Sequence, residues 1–205
     1  QLGMVVVSVG QILDSNGLLE EQKVTLSRLW AALENVCDPE VPVLSVLDLG
    51  VVRSVTLRQD GAELTSNIES KQQYTIVPTQ ESSLVIVQIT PTYTGCPAIG
   101  MMAANIQIEL LTHGFDNVRV VEVLSPAWTT DWMSEAGKQK LLAYGIAPPQ
   151  HKARIEKMLF ADTSVACPQC GSENTTCISE FGSTACKSLF RCLDCREPFD
   201  YFKCH

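Results

Sequence analysis

Two Cys-x-x-Cys pairs, Cys167/Cys170 and Cys192/Cys195, stand near the end of the sequence. Each can fold into a knuckle that turns two thiolates toward one ion, and Gly171 follows the first pair where such a turn favours positive φ. Four thiolates at tetrahedral positions, about 2.3 Å from the metal, make a closed zinc site with no open position for a substrate. The pattern therefore predicts one structural zinc ion, whose binding energy is folding energy for the module around it. Iron in the same cage, rubredoxin-like or as a cluster, is the competing occupant. Cys177 and Cys186 fall between the knuckles and read as small, half-buried residues of a hairpin. Cys204 and His205 close the sequence as a candidate extra metal-binding pair.

A second candidate lies upstream. Cys96 occurs in TPTYTGCPA, directly before Pro97 and a helical pattern. A thiol at a helix N-terminus meets unpaired N–H groups and the positive end of the dipole, and both favour thiolate. Gly95 permits a tight turn that would expose it. Two readings stand: a reactive or metal-accepting thiol, or a thiol that only packs at a helix start. A cysteine hydrolase would need a base within hydrogen-bond reach. The histidines are His113, His151 and His205. His113 falls at the far end of the helix that Cys96 begins, His151 in a linker and His205 at the last position, so a Cys–His nucleophile is disfavoured. LDLGVV lacks the later glycines of a dinucleotide fingerprint. Asp38 and Glu40, in CDPEVPVL, read either as a helix stop and turn or as carboxylates lining a groove beside Cys96.

The elements that must position these groups follow from periodicity. Leu26, Leu29, Trp30, Leu33 and Val36 recur at helical spacing, and Asp38-Pro39 ends that run. A strand is expected from Gly50 to Leu57, with Asp60-Gly61 as a turn. Residues 61–82 read as a polar hairpin connection, with YTIVP as a short strand. Leu84 to Ile89 predicts a buried strand, and Pro97 opens a helix with Ile99, Met102, Ala103, Ile106 and Leu110 facing inward. NVRVVEVL alternates as a strand. DWMSEAGKQKLLAYG predicts a helix ended by Gly145. The expected fold is a small mixed-sheet α/β (α+β) domain with packed helices, then a small β-rich zinc ribbon. The boundaries are an extension over 1–22, the α/β domain over 23–147, a linker over 148–162 and the ribbon over 163–205.

Composition narrows the function. The 205 residues carry a formal net charge of −8. That sign suits neither general nucleic-acid binding nor an anionic membrane surface. No stretch approaches the roughly 20 apolar residues of a span. MVVVSVGQILDSNG lacks a basic n-region and a cleavage site, so it does not read as a signal peptide. Nine cysteines cannot all pair with one another. Metal ligation in a cytoplasmic protein is the expectation. From Thr163 on, Lys187, Arg191, Arg196 and Lys203 nearly balance five acidic residues, which favours a protein partner. Phe190, Phe199, Tyr201 and Phe202 offer either its contact surface or the ribbon's own core.

The strings DPEVPVLSVLDLGVV, ITPTYTGCPAIGMM and SPAWTTDWMSEAGKQKLLAYGIAPP resemble the metal–sulfur cluster assembly family that includes SUF-associated proteins. Joined to GSTACK and CREPFDYFKCH, they resemble its branch of accessory proteins of the phenylacetyl-CoA ring epoxidases. The resemblance implies an accessory role in phenylacetate catabolism rather than an enzyme. It implies transient iron or an iron–sulfur cluster as cargo. The implied partners are the epoxidase's oxygenase or reductase subunit, and a homodimer is one assembly it allows. The family's functional loop and turn fall on Asp38, Pro39, Glu40 and Cys96. A non-catalytic structural subunit, acting through protein contacts alone, is the alternative. Residues 1–22 have no counterpart, and 59–82 are longer than expected.

Overall fold

A computed structural model describes residues 20–59, 61–70, 75–78, 83–149 and 165–203. Most of the expected N-terminal extension and linker, and the Cys204–His205 pair, lie outside the described residues.

Helix α1 spans Glu20–Leu33 and buries Leu26, Leu29, Trp30 and Leu33. It ends one turn before Asp38-Pro39. There the chain tightens into i→i−3 bonds, and Val36 turns its carbonyl to the N–H of Val46. Strands β1 (Val52–Gln59), β2 (Ala62–Asn67), β3 (Thr75–Pro78), β4 (Leu84–Ile89) and β5 (Val118–Glu122) form one sheet in the order β3-β2-β1-β4-β5. β1 to β4 pair antiparallel, and β4 pairs parallel with β5. The parallel pair is joined by α2 (Ala98–Thr112), whose Ala98, Met102, Ile106 and Leu110 are buried. α1 and α2 contact each other and the sheet.

The expected polar connection over 61–82 is corrected: it contains β2 and a 3-10 turn at Ile68–Ser70, besides the short strand β3. β2 is hard to see in the sequence because its two fully buried positions are Leu64 and Ser66. Ser66 tolerates burial by accepting a 2.9 Å hydrogen bond from the Trp30 indole, which restores the polar partner lost with water.

α3 (Glu135–Tyr144) is shorter than its pattern, because the Ser134 hydroxyl caps it by accepting from the Gly137 N–H at 2.9 Å. Gly145 leaves the helix at φ +90°, a conformation glycine adopts without strain. That turn sends β6 (Ile146–Ala147) into the second sheet, which runs β6-β9-β8-β7 with β7 Thr175–Ser179, β8 Lys187–Cys192 and β9 Pro198–Phe202. The mixed α/β domain and the β-rich ribbon are those read from the sequence, but they share this sheet. Ile146 and Ala147 pair parallel with Asp200 and Tyr201. Phe202 and Cys186 of the ribbon belong to the α/β domain's hydrophobic core, where Phe202 meets Trp128 at 6.4 Å between ring centres. Phe190, Phe199 and Phe202 are buried and Tyr201 is half-buried, so these aromatics build the ribbon and its docking. Among the described residues of the ribbon, the large apolar side chains left exposed are Ile178, Phe181 and Leu193. Among the described residues, no helix is long and apolar enough to cross a membrane.

Candidate functional site

The four knuckle cysteines converge. A regular tetrahedron of sulfurs about 2.3 Å from its centre has edges of about 3.8 Å. The Cys167–Cys195 and Cys170–Cys192 sulfurs stand 3.7 and 3.6 Å apart. All four lie within 4.8 Å of one another. This donor set fits a zinc ion, which would hold the ribbon closed and supply no reactive position. The knuckles are preorganised by their own backbone. The Gly171 N–H bonds the Cys167 carbonyl at 2.8 Å, and the Cys192 N–H bonds the Glu197 carbonyl at 3.0 Å. The Cys192 thiol is drawn down to about 7, chiefly by the backbone N–H of Cys195. Behind the cage, the Asp194 carboxylate accepts from the Ser172 hydroxyl and from the Asn174 amide. These bonds tie one knuckle to the other.

The second candidate site gathers at the head of α2. Cys96 lies just before the cap, its N–H bonded to the Tyr93 carbonyl at 3.2 Å. It is buried, at 7 % exposure, although Gly95 beside it is exposed at φ +84°. The expectation that the glycine turn would expose the thiol is therefore corrected. The turn presents its backbone to solvent and folds the sulfur inward. Tyr93 hydrogen-bonds Cys96, and its hydroxyl is pushed up to about 12 by burial and then by the charges of Cys96, Glu40 and Cys186. The phenol thus feels the charge of all three groups.

Asp38 and Glu40 serve two different purposes. Asp38 Oδ1 accepts from the backbone N–H groups of Glu40 at 2.6 Å and Val41 at 3.2 Å, so this carboxylate shapes the Asp-Pro-Glu turn. Burial pushes its carboxyl up despite those bonds and the nearby Lys187 ammonium. Glu40 is half-buried, and its Oε2 meets the Cys186 thiol of the ribbon at 4.0 Å. Burial raises its carboxyl and Asp38 repels its charge, with Lys187 opposing both. Lys187 comes from the ribbon, is itself buried, and stands 3.8 Å from Asp200. Asp38 and Glu40 thus share one turn, and Cys186 meets Glu40 at 4.0 Å, while Cys96 bonds Tyr93; among the described residues these groups do not bring three ligand atoms within 4.8 Å of one another. Cys177 is exposed on β7, away from this group. His113 sits at the C-terminal end of α2, donating no base to Cys96.

Sequence reasoning passes over Asp48 as well. Its carboxylate accepts from the Ser45 N–H and hydroxyl, the Ser134 hydroxyl and the Lys140 ammonium. Burial pushes it up, but these partners, Lys140 first, hold it below the ordinary carboxylate range. Asp48 therefore fastens the segment after Asp-Pro-Glu to α3. The same segment is fixed by Gly50 at φ +67°, where a Cβ would lie 2.3 Å from the Trp132 carbonyl oxygen. A short Ser-x-x-Asp spacing, Ser45 to Asp48, was the available signal; the partners on α3 are too distant in sequence to be read.

The profile of the PaaD zinc beta ribbon domain matches residues 151–203. An Escherichia coli protein, provisionally named as one of the subunits of 1,2-phenylacetyl-CoA epoxidase, is 44% identical over 177 residues, covering 86% of this chain and 91% of that protein. Among solved structures, a domain of unknown function from Bacillus anthracis is similar at 24% identity, with 58% of this chain and 92% of that one covered and a TM-score of 0.44. A Mycobacterium tuberculosis protein associated with Fe–S complex assembly and repair is similar at 23% identity, covering 66% of this chain and 98% of that one, with a TM-score of 0.32.

Proposed function

Because the chain belongs to the PaaD family of 1,2-phenylacetyl-CoA epoxidase subunits, we propose that it is a non-enzymatic accessory factor of that epoxidase. In this reading it delivers iron or an iron–sulfur cluster to the oxygenase or reductase subunit. One observation carries the proposal: Cys96 is a buried thiol, and Tyr93, which hydrogen-bonds it, also feels the charge of the Glu40 carboxylate. Thiolate and carboxylate together suit iron, and a buried thiol is shielded from adventitious oxidation. The closed ribbon cage contributes shape rather than cargo. Reduced thiols of this kind belong in the cytoplasm.

The test is reconstitution of the epoxidase with Cys96→Ala. The expected outcome is epoxidase with at least a tenfold loss of activity and a matching loss of client metal. Full metal content and full activity would remove Cys96 from the function.

A second reading, a structural subunit acting through protein contacts alone, draws on the exposed Ile178, Phe181 and Leu193 of the ribbon. Pull-down with tagged epoxidase separates the two. Stoichiometric retention in the active complex favours the structural subunit; release after client loading favours the delivery factor.

A further inference from the structure

α2 is apolar on the side that faces away from the core as well as on the side that faces it. Its inner positions are Ala98, Met102, Ile106 and Leu110. Its outer positions, three and four residues apart along the opposite side, are Met101, Ala104, Ile108 and Leu111. Met101, Ile108 and Leu111 are 56, 59 and 45 % exposed, and Ala104 is exposed with them. Single exposed apolar residues are ordinary, but a contiguous stripe of them marks a surface that something covers. A helix apolar all round is normally buried all round. The flanks of α2 are tied down on both sides of this stripe. Glu109, the only charged residue of the helix, accepts from the Asn35 amide beyond α1 at 3.0 Å, and the Gln107 amide donates to the Val118 carbonyl of β5 at 3.3 Å. The stripe lies on the far side from both, pointing outward.

We propose that this stripe is the contact between two copies of the chain, which pair α2 against α2 antiparallel about a two-fold axis beside Ala104. Two observations select a second copy over a different protein. The first is charge. The chain carries a net charge of −8, so two copies repel wherever acidic surfaces meet. The outer face of α2, with its borders Gly100, Asn105 and Thr112, carries no charge, so like-charged copies can touch there. An unlike partner is generally selected by complementary charge around the contact, and this face offers none. The second is that the stripe complements itself when read backwards. A two-fold axis across paired helices sets residues equally far from it opposite each other. Met101 then meets Ile108 of the second copy, and Leu111 meets its Gly100. A Cβ at Gly100 would find nothing within 4 Å, which leaves room for that leucine. Ala104, small and next to the axis, lets the two helices approach closely.

The size of the contact sets its strength. At 1.5 Å per residue α2 is about 22 Å long, and a face about 10 Å wide then covers on the order of 200 Å². A standard stable interface takes about 800 Å² from each partner. The pair is therefore reversible, forming at concentrations on the order of 100 μM and separating on dilution to about 1 μM. Cys96 directly precedes α2, so the antiparallel pair places the two Cys96 turns at opposite ends of the seam. Pairing neither completes nor covers a shared thiol site, and it is independent of the role given to Cys96.

The experiment uses the full zinc-loaded chain, kept reduced so that no disulfide links two copies. Sedimentation equilibrium is run from about 1 to about 200 μM. The parent is expected to pass from monomer to dimer across that range. Ala104→Glu sets two carboxylates beside the axis and is expected to weaken dimerisation by about tenfold or more. The position is exposed and glutamate is a good helix former, so the fold is kept; zinc content and helical circular dichroism check it. Ala104→Lys is expected to weaken dimerisation likewise. An equimolar mixture of the two variants is expected to recover it, because opposite charges then meet across the axis. Recovery in the mixture supports the α2 contact. Variants that weaken without recovering in the mixture overturn the antiparallel pairing about Ala104. A dimer unchanged in both variants overturns the proposal, since the copies then meet elsewhere. A parent that stays monomeric up to about 200 μM also overturns it. Loss of epoxidase capture in Ala104→Glu would then assign the stripe to an epoxidase subunit.

Discussion

Arg196 occupies in the second zinc knuckle the position that Gly171 occupies in the first. Each directly follows the last cysteine of its pair, and each has positive φ, +68° and +75°. Glycine adopts that region freely, while a side chain there costs on the order of 1–2 kcal/mol. Arg196→Gly is expected to stabilise the ribbon by about 0.5–1 kcal/mol after the added freedom of the unfolded chain is counted. Urea unfolding of the zinc-loaded protein, followed at the ribbon, reads the shift; an unchanged or lowered midpoint would show that the turn is not strained.

Zinc removal should be felt outside the ribbon. Chelation is expected to unfold β7 to β9 and, with them, to free Ile146 and Ala147 and the contact between Trp128 and Phe202. Hydrogen exchange before and after chelation checks this. Loss of protection confined to residues after 165 would mean that β6 and the Trp128 region hold themselves.

Asp48 sets an acid limit on the α/β domain. Its folded carboxyl titrates below the unfolded one, so its contribution is complete above the unfolded value and is lost as pH falls through the folded value. Asp48→Ala is expected to cost about 2–3 kcal/mol near neutrality, by stranding partners of a charged hydrogen-bond network. The deficit against the parent should shrink toward acid pH. Denaturant midpoints at several pH values measure both effects, and a pH-independent deficit would refute the charge argument.

Gly50→Ala tests how tightly the segment after Asp-Pro-Glu is clamped. The new Cβ would meet the Trp132 carbonyl oxygen at 2.3 Å in a backbone that already requires positive φ. The expected cost is about 3 kcal/mol or more. Thermal unfolding gives the answer; a loss under about 1 kcal/mol would mean that the 3-10 turn at Thr130–Trp132 yields easily.

What the sequence revealed depends on how local each signal is. The zinc cage was legible because a knuckle is complete within four residues. α1, α2 and β4 were legible because each buries a full periodic face. β2 was missed since half of its buried positions is a serine made tolerable by Trp30, over thirty residues earlier. Asp38 was placed correctly at a turn, but its tie to two backbone N–H groups belongs to structure more than to a groove. Cys186 was read as hairpin filling. Nothing within the ribbon distinguishes it from Cys177; only docking separates the buried thiol near Glu40 from the exposed one.

The two-residue pairing of β6 with β9 gives the folding of the two modules an order of events. β9 is expected to form only when the ribbon closes on zinc, and β9 is the strand that Ile146 and Ala147 join. The Lys203 N–H, one residue past β9, bonds the carbonyl of Cys186 at 2.9 Å. A chain whose cysteine cage has not closed therefore lacks the frame that carries Cys186 to within 4.0 Å of Glu40. The zinc ribbon thus acts as a check on assembly, since the seam between the two modules closes only after the small one is folded.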